Sequence, residues 1–190
     1  MTLSSLRRAV GIVQQDVFLF DTSVTDNVAY AEPEASEERV IEAATTAHIH
    51  EYVASLPESY RTFVGERGVS LSGGQRQRLS IARGVVPAPA VLIFDDATSA
   101  IDAATEHRLR AALKAATATR ATIIIAHRLS SLMDADEILV LDRGRVTERG
   151  THAELLARGG QYAELYRMQA DSKSAGKAAP VRRAMEGAAT

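Results

Sequence analysis

Four groups of residues in this chain are of the right type and spacing to act on an anion. The run Leu71, Ser72, Gly73, Gly74, Gln75, Arg76, Gln77, Arg78 reads as a helix start built to meet a phosphate. Ser72 is a strong N-cap, because its hydroxyl can accept from a backbone N–H two or three residues on. Gly73 and Gly74 carry no Cβ, so another group can approach the backbone closely. The exposed N–H groups and the positive end of the helix dipole then favour negative charge. The same residues also describe an ordinary capped helix after a flexible turn. Farther along, four apolar residues at 91–94 run into Asp95 and Asp96, which places two carboxylates at the end of a strand, where ligands of α/β sheets bind. A second apolar run at 122–126 ends directly on His127, and an early β-branched run ending at Val13 is followed by Gln15. Taken singly, Gln15 is a polar strand end, His127 a loop residue and the acidic pair a turn.

Taken together, these residues resemble the ATP-binding cassette (ABC) family. The octapeptide at 71–78 is similar to that family's signature motif, and the other motifs follow in its order over roughly residues 3–170, closest to the nucleotide-binding domain of ABC exporters. The resemblance implies that Ser72, Gly73, Gly74 and Gln75 bind the γ-phosphate of an ATP held mainly by an opposite subunit. It implies that Gln15 is the Q-loop glutamine, reaching Mg²⁺ and the attacking water and sensing a transmembrane domain. Asp16 to Phe20 followed by Asp26, Asn27 and Val28 is similar to the exporter Q-loop region. Its apolar patch of Phe18, Leu19 and Phe20 would help seat a coupling helix, although on the residues alone it reads as core. Gly65, Glu66, Arg67 and Gly68 resemble the exporter X-loop, or a glycine-flanked turn. Asp95 falls at the Walker B position and would hold Mg²⁺ through water. Asp102, after Ala100 and Ile101, falls in the D-loop that crosses the dimer interface, and His127 is placed as the switch histidine that contacts the γ-phosphate.

Two departures shape the expectation. Members of the family usually have Glu where Asp96 stands, to polarise the attacking water. Asp is one methylene shorter, a retreat of roughly 1.5 Å, and a misplacement of ~1 Å can cost ~100-fold in rate. A weakened base beside an intact signature is the pattern of the degenerate-site half of a heterodimeric exporter. The second departure concerns the phosphate loop Gly-x-x-x-x-Gly-Lys-Ser/Thr. The chain has only Lys114, Lys173 and Lys177, and none sits in that pattern. The aromatic residue that would stack on adenine upstream of the loop is also missing. The expectation is a nucleotide-binding domain truncated before its Walker A loop: an ABC-type ATPase by family, using ATP and Mg²⁺, but inactive alone. The alternatives are a non-catalytic interaction module and an inert remnant. A soluble DNA-repair or chromosome-structuring ABC ATPase would need long coiled coils, and no sustained heptads occur.

The elements that must position these groups follow from pattern. The fold class expected is α/β, a partial P-loop NTPase-like ABC nucleotide-binding domain with a parallel sheet core and an inserted helical subdomain at about 24–88. The runs at 91–94 and 122–126 suit strands buried on both faces. One helix is expected over 36–55, capped by Ser36, with Ile41, Ala44, His48 and Tyr52 on one face, and ended by Pro57. His48 and His50 read as surface or packing residues. The signature helix should stop at Pro87 and Pro89, and Leu109 and Leu113 mark the inner face of a helix at 103–117. A strand at 138–141, a turn at 142–145 and a returning strand at 146–148 form a hairpin. Thr151 and Glu154 make a capping box, Gly159 and Gly160 stop that helix, and a last helix carries Tyr162, Leu165 and Tyr166. Residues 171–190 read as a disordered tail. The chain has 46% hydrophobic residues, no cysteine and a net charge of −2. That composition fits a globular domain, leaves no disulfide or thiol chemistry, and gives no electrostatic case for nucleic acid. No apolar run reaches the ~20 residues of a membrane span. The expected setting is the cytoplasmic face of the cell membrane, against transmembrane coupling helices and a second nucleotide-binding domain.

Overall fold

The apolar run before Asp95 becomes the middle strand of a three-stranded parallel sheet. The computed structural model describes residues 2–65, 68–97 and 100–177, and it divides into two units between Ile125 and Ala126. In the first unit, α1 (Leu3–Ala9) leads into β1 (Val10–Val13). There follow β2 (Thr22–Ser23), α2 (Val24–Val28), α3 (Glu37–Thr46), α4 (His50–Ala54), β3 (Phe63–Val64), α5 (Gly73–Val85), β4 (Val91–Asp95), α6 (Ala103–Ala116) and β5 (Ala121–Ile125). The parallel sheet has the order β1-β4-β5, with Ile12 opposite Ile93 and Ile93 opposite Ile123.

β1 and β4 are buried on one face and β5 on neither, which corrects the expectation for both apolar runs. Val13, Leu92 and Phe94 are buried against the core, whereas Ile12, Ile123 and Ile125 are 58%, 50% and 51% exposed. Strand alternation puts these two sets on opposite faces. Every residue of β5, an edge strand paired with β4, is exposed.

The helical part also differs from the single helix expected over 36–55. Ser36 caps α3 as expected, but the helix stops at Thr46, and His48 takes a φ of 54° before α4 begins at His50. The break turns Ile49 fully into the core. The buried face of α3 is Val40, Ala43 and Ala44, continued by Ala47, while His48 is exposed. α1 was not anticipated; it has no buried residue and starts on a Thr2 cap. α5 ends two residues before Pro87, and α6 buries Leu109 and Leu113.

The second unit is a hairpin and two helices. β6 (Ile138–Asp142) pairs antiparallel with β7 (Arg145–Gly150) through a turn in which Arg143 and Gly144 both have positive φ. That is the backbone of the tight turn whose twist suits a hairpin. α7 (His152–Arg158) carries the Thr151–Glu154 capping box and ends on Gly159 at a φ of 67°. α8 (Gln161–Lys177) runs past position 171, where the tail was expected to begin, and residues 178–190 lie outside the described residues. The core of this unit is Leu129, Ile138, Leu155 and Tyr162.

The α8 N-terminus is capped from the hairpin. The Glu148 carboxylate accepts from the Gln161 and Tyr162 N–H groups at 2.5 and 3.2 Å. A Cβ on Gly160 would collide with that carboxylate. Gly160→Ala is therefore expected to displace the cap and cost about 1 kcal/mol, read as a fall in the urea midpoint with unchanged slope.

Candidate functional site

The octapeptide forms a capped helix start as its sequence suggests. The Ser72 hydroxyl accepts from the Gln75 N–H at 3.3 Å, and the Gln75 side chain accepts from the Ser72 N–H at 2.8 Å. Both partners are thereby held in a reciprocal capping box. Ser72 and Gly73 remain exposed at the end of a 13-residue helix. A cavity of about 360 Å³ opens there, lined by Ser72, Gly73, Gly74, Arg78, Ala100, Ile101 and Asp102. Four of the residues expected to meet nucleotide, Ser72, Gly73, Gly74 and Asp102, thus share one surface. Gln75 does not line it; its side chain serves the cap.

Two contacts join the 100–102 segment to α5. A Cβ on Gly74 would lie 3.0 Å from the Ala100 carbonyl oxygen, a contact tighter than ordinary packing, which glycine avoids. The Ala100 N–H donates to Gln77 Oε1 at 3.0 Å, and Gln77 is only 1% exposed. Asp102 caps α6 by accepting from the Thr105 N–H at 3.0 Å. That backbone N–H holds the Asp102 carboxyl below the usual carboxylate range. Arg78 donates to the Gly74 and His48 carbonyls at 3.2 and 2.9 Å. Burial pushes its guanidinium down and the Asp102 charge opposes that. The cavity therefore carries one anion, one cation and the positive end of a helix.

Gln77 was missed as a functional residue. It falls on the helix face shared with Ile81 and Gly84, where periodicity calls for an apolar side chain. A polar residue at such a position needs a buried partner, and that was the available signal. Gln77→Leu is expected to leave the Ala100 N–H without its acceptor and cost about 1–3 kcal/mol, seen as faster amide exchange at Ala100 and a lower unfolding midpoint.

The carboxylates and Gln15 gather at one end of the sheet. Val13, the last residue of β1, pairs with Phe94, and Asp95 pairs with Ile125. Gln15, two residues beyond Val13, and Asp95 are both exposed. Asp96 is 8% exposed, has a φ of 44° and donates its N–H to the Ile125 carbonyl at 2.8 Å. That left-handed backbone is one Asp tolerates better than most residues. Among the described residues no group of three or more His, Cys, Asp or Glu gathers. An exposed carboxylate with a glutamine amide at the same end of the sheet suits Mg²⁺, which keeps its waters and takes its remaining ligands from substrate phosphates. His127 is exposed in the second unit, and Thr98 and Ser99, between Asp95 and Ala100, lie outside the described residues.

The aromatic patch is built on a hub that sequence did not reveal. Phe18 is 68% exposed and packs edge-on to Phe20, which stacks on Tyr30. Leu19 instead packs against the core. Arg83 of α5 sits over the Phe20 ring and donates to the Phe18 and Asn27 carbonyls and to Asn27 Oδ1. Asn27, 0% exposed, also pairs with the Phe20 backbone in both directions. Of the segment expected to be an X-loop, Glu66 and Arg67 lie outside the described residues. The flanking Gly65 has a φ of 119°.

Comparison with known proteins gives these features relatives. The family model described as ABC transporter matches residues 1–99. The uncharacterized ABC transporter ATP-binding protein YknU of Bacillus subtilis is 51% identical over 168 residues, 88% of this chain and 29% of that protein. The ATP-dependent lipid A-core flippase of Shewanella sp. (strain MR-4) is 51% identical over 169 residues, 88% of this chain and 28% of that protein. Among solved structures, a bacterial Atm1-family ABC exporter with ATP bound matches with a TM-score of 0.85 and 49% identity, over 90% of this chain and 30% of that one. The chain thus spans less than a third of the length of these relatives.

Proposed function

Because this chain belongs to the ABC transporter family, we propose that it works as the ATP-binding component of an ABC exporter, at the cytoplasmic face of the cell membrane. The observation that carries the proposal is the cavity in which the start of α5 and the 100–102 segment meet. Its N–H groups, the Ser72 hydroxyl and the helix dipole are aimed outward at a place a γ-phosphate can occupy. The 190 residues contain no Gly-x-x-x-x-Gly-Lys-Ser/Thr sequence, so the triphosphate tail must be cradled by residues outside them. This chain then acts as the lid on an ATP held by a second nucleotide-binding domain.

The family resemblance supplies the roles of the remaining residues. Asp95 and Gln15 hold the waters of Mg²⁺ and His127 steadies the γ-phosphate, while Asp96 stands at the base position, a methylene too short to orient the attacking water well. The Phe18 patch receives a coupling helix of a transmembrane domain, and Arg83 links it to α5. With the shorter Asp96 as its base, this chain forms the degenerate half of a heterodimer, lending its intact signature to the partner's competent site.

The test uses the assembled transporter. Ser72→Ala is expected to lower ATP turnover about 10-fold, on the scale of one lost charge-assisted hydrogen bond. Asp96→Ala is expected to change turnover by less than about twofold, since its carboxylate is already a methylene too short to serve as the base, and the γ-phosphate contact of His127 is untouched. Turnover abolished by Asp96→Ala would refute the degenerate assignment, and turnover indifferent to Ser72 would refute the lid.

A further inference from the structure

We infer that Gln169, on the C-terminal helix, is a positioning residue for His127; the inference rests on the proposed role of His127 at the γ-phosphate. The Gln169 side-chain amide bridges the backbone on either side of Arg128. Its Nε2 donates to the His127 carbonyl at 2.7 Å, and its Oε1 accepts from the Leu129 N–H at 3.0 Å. The amide orientation is set by these partners, since the flipped amide would put donor against donor and acceptor against acceptor.

The geometry has a simple origin. Arg128 is extended, with φ −99° and ψ 109°. In extended backbone the carbonyl before a residue and the N–H after it point to the same side. Gln169 fills that edge as a neighbouring strand would. Glutamine alone suits the place: Glu cannot donate at neutral pH, Lys and Arg cannot accept, and Asn is a methylene short.

Both ends of the clamp are anchored. Leu129 is buried in the core of the second unit beside Tyr162. Tyr162 stands two turns before Gln169 on α8, hence on nearly the same helix face. It is 1% exposed, and its hydroxyl pairs with His152 Nδ1 at 2.7 Å. With the Glu148 cap at its start, α8 is fixed against the hairpin, and Gln169 carries that fixity to the backbone of His127. His127 itself is exposed and immediately precedes the extended residue, so the aim of its imidazole depends on this backbone edge.

The test pairs Gln169→Ala and Gln169→Glu with His127→Ala in the assembled transporter, with Met168→Ala as the control, Met168 being an exposed neighbour on α8. Gln169→Ala is expected to speed amide exchange at Leu129 while leaving exchange in β6 and β7 and the unfolding midpoint in place. It should lower kcat about 10-fold, less than the ~100-fold of a 1 Å displacement, with KM for ATP unchanged. Gln169→Glu keeps the acceptor for Leu129 but sets a carboxylate against the His127 carbonyl, so Leu129 stays protected while kcat falls. Undiminished kcat in both Gln169 variants, with His127→Ala inactive, would overturn the inference and leave the role of His127 standing. Undiminished turnover in His127→Ala would overturn that role and the positioning role with it. Loss of kcat only in step with a lower unfolding midpoint would make Gln169 a structural residue and overturn the inference.

Discussion

Gly74→Val lowers ATP turnover by the assembled transporter about 100-fold, equivalent to about 2.7 kcal/mol of barrier. The cause is local. A Cβ at Gly74 already reaches 3.0 Å from the Ala100 carbonyl oxygen, and valine adds two methyls to it. The 100–102 segment must retreat, and with it go the Ala100 N–H held by Gln77 and the Asp102 cap of α6. The fold survives, because Gly74 lies in the first turn of α5 and the buried residues of that helix begin at Gln77. Far-ultraviolet circular dichroism should be unchanged while single-turnover hydrolysis collapses. Turnover within about threefold of the parent would show that the close approach of these backbones is not what builds the site.

Asn27→Ala destabilises the first unit by about 3 kcal/mol, roughly 100-fold in the folding equilibrium. Asn27 is fully buried and makes four side-chain hydrogen bonds, two with the Phe20 backbone, one to the Ser23 carbonyl and one with Arg83. Alanine leaves the half-buried Phe20 N–H and one guanidinium nitrogen without their Asn27 acceptor, and an orphan of this kind costs about 1–3 kcal/mol. Burial pushes the Arg83 guanidinium down, so this cation is already poorly solvated and depends on Asn27. Urea unfolding should show a midpoint lower by about 1–3 M, and the exposed Phe18 patch should lose its order first. A midpoint within about 0.3 M of the parent would mean the hub is not the support described.

What the sequence showed and what it hid divide along a physical line. Features set by residues a few positions apart were readable: the Ser72 cap, the Thr151 capping box, the turn at Arg143 and Gly144, the stop at Gly159, and the carboxylates at the end of β4. Features set by distant partners were not. Gln77 meets Ala100, Asn27 meets Arg83, and Gln169 meets His127 only once the chain has folded. The helix expected over 36–55 breaks because burying Ile49 outweighs continuing through His48, a preference no local pattern expresses. The exposure of Ile123 and Ile125 on β5 is likewise a matter of what covers a sheet, and apolar composition alone reads as a buried strand. α1 escaped notice because Leu3–Ala9 buries nothing and so shows no apolar period.

Calorimetric titration with Mg²⁺ and ATP tests the central claim most directly, first on this chain alone and then with a nucleotide-binding domain that carries a phosphate loop. The lid account predicts no saturable binding by the chain alone below about 1 mM, a limit of about −4 kcal/mol. With the second domain present, saturable binding should appear and should weaken when Ser72 of this chain is replaced by alanine. Micromolar, Mg²⁺-dependent binding by the chain alone would contradict it, because these residues would then be holding the triphosphate by themselves.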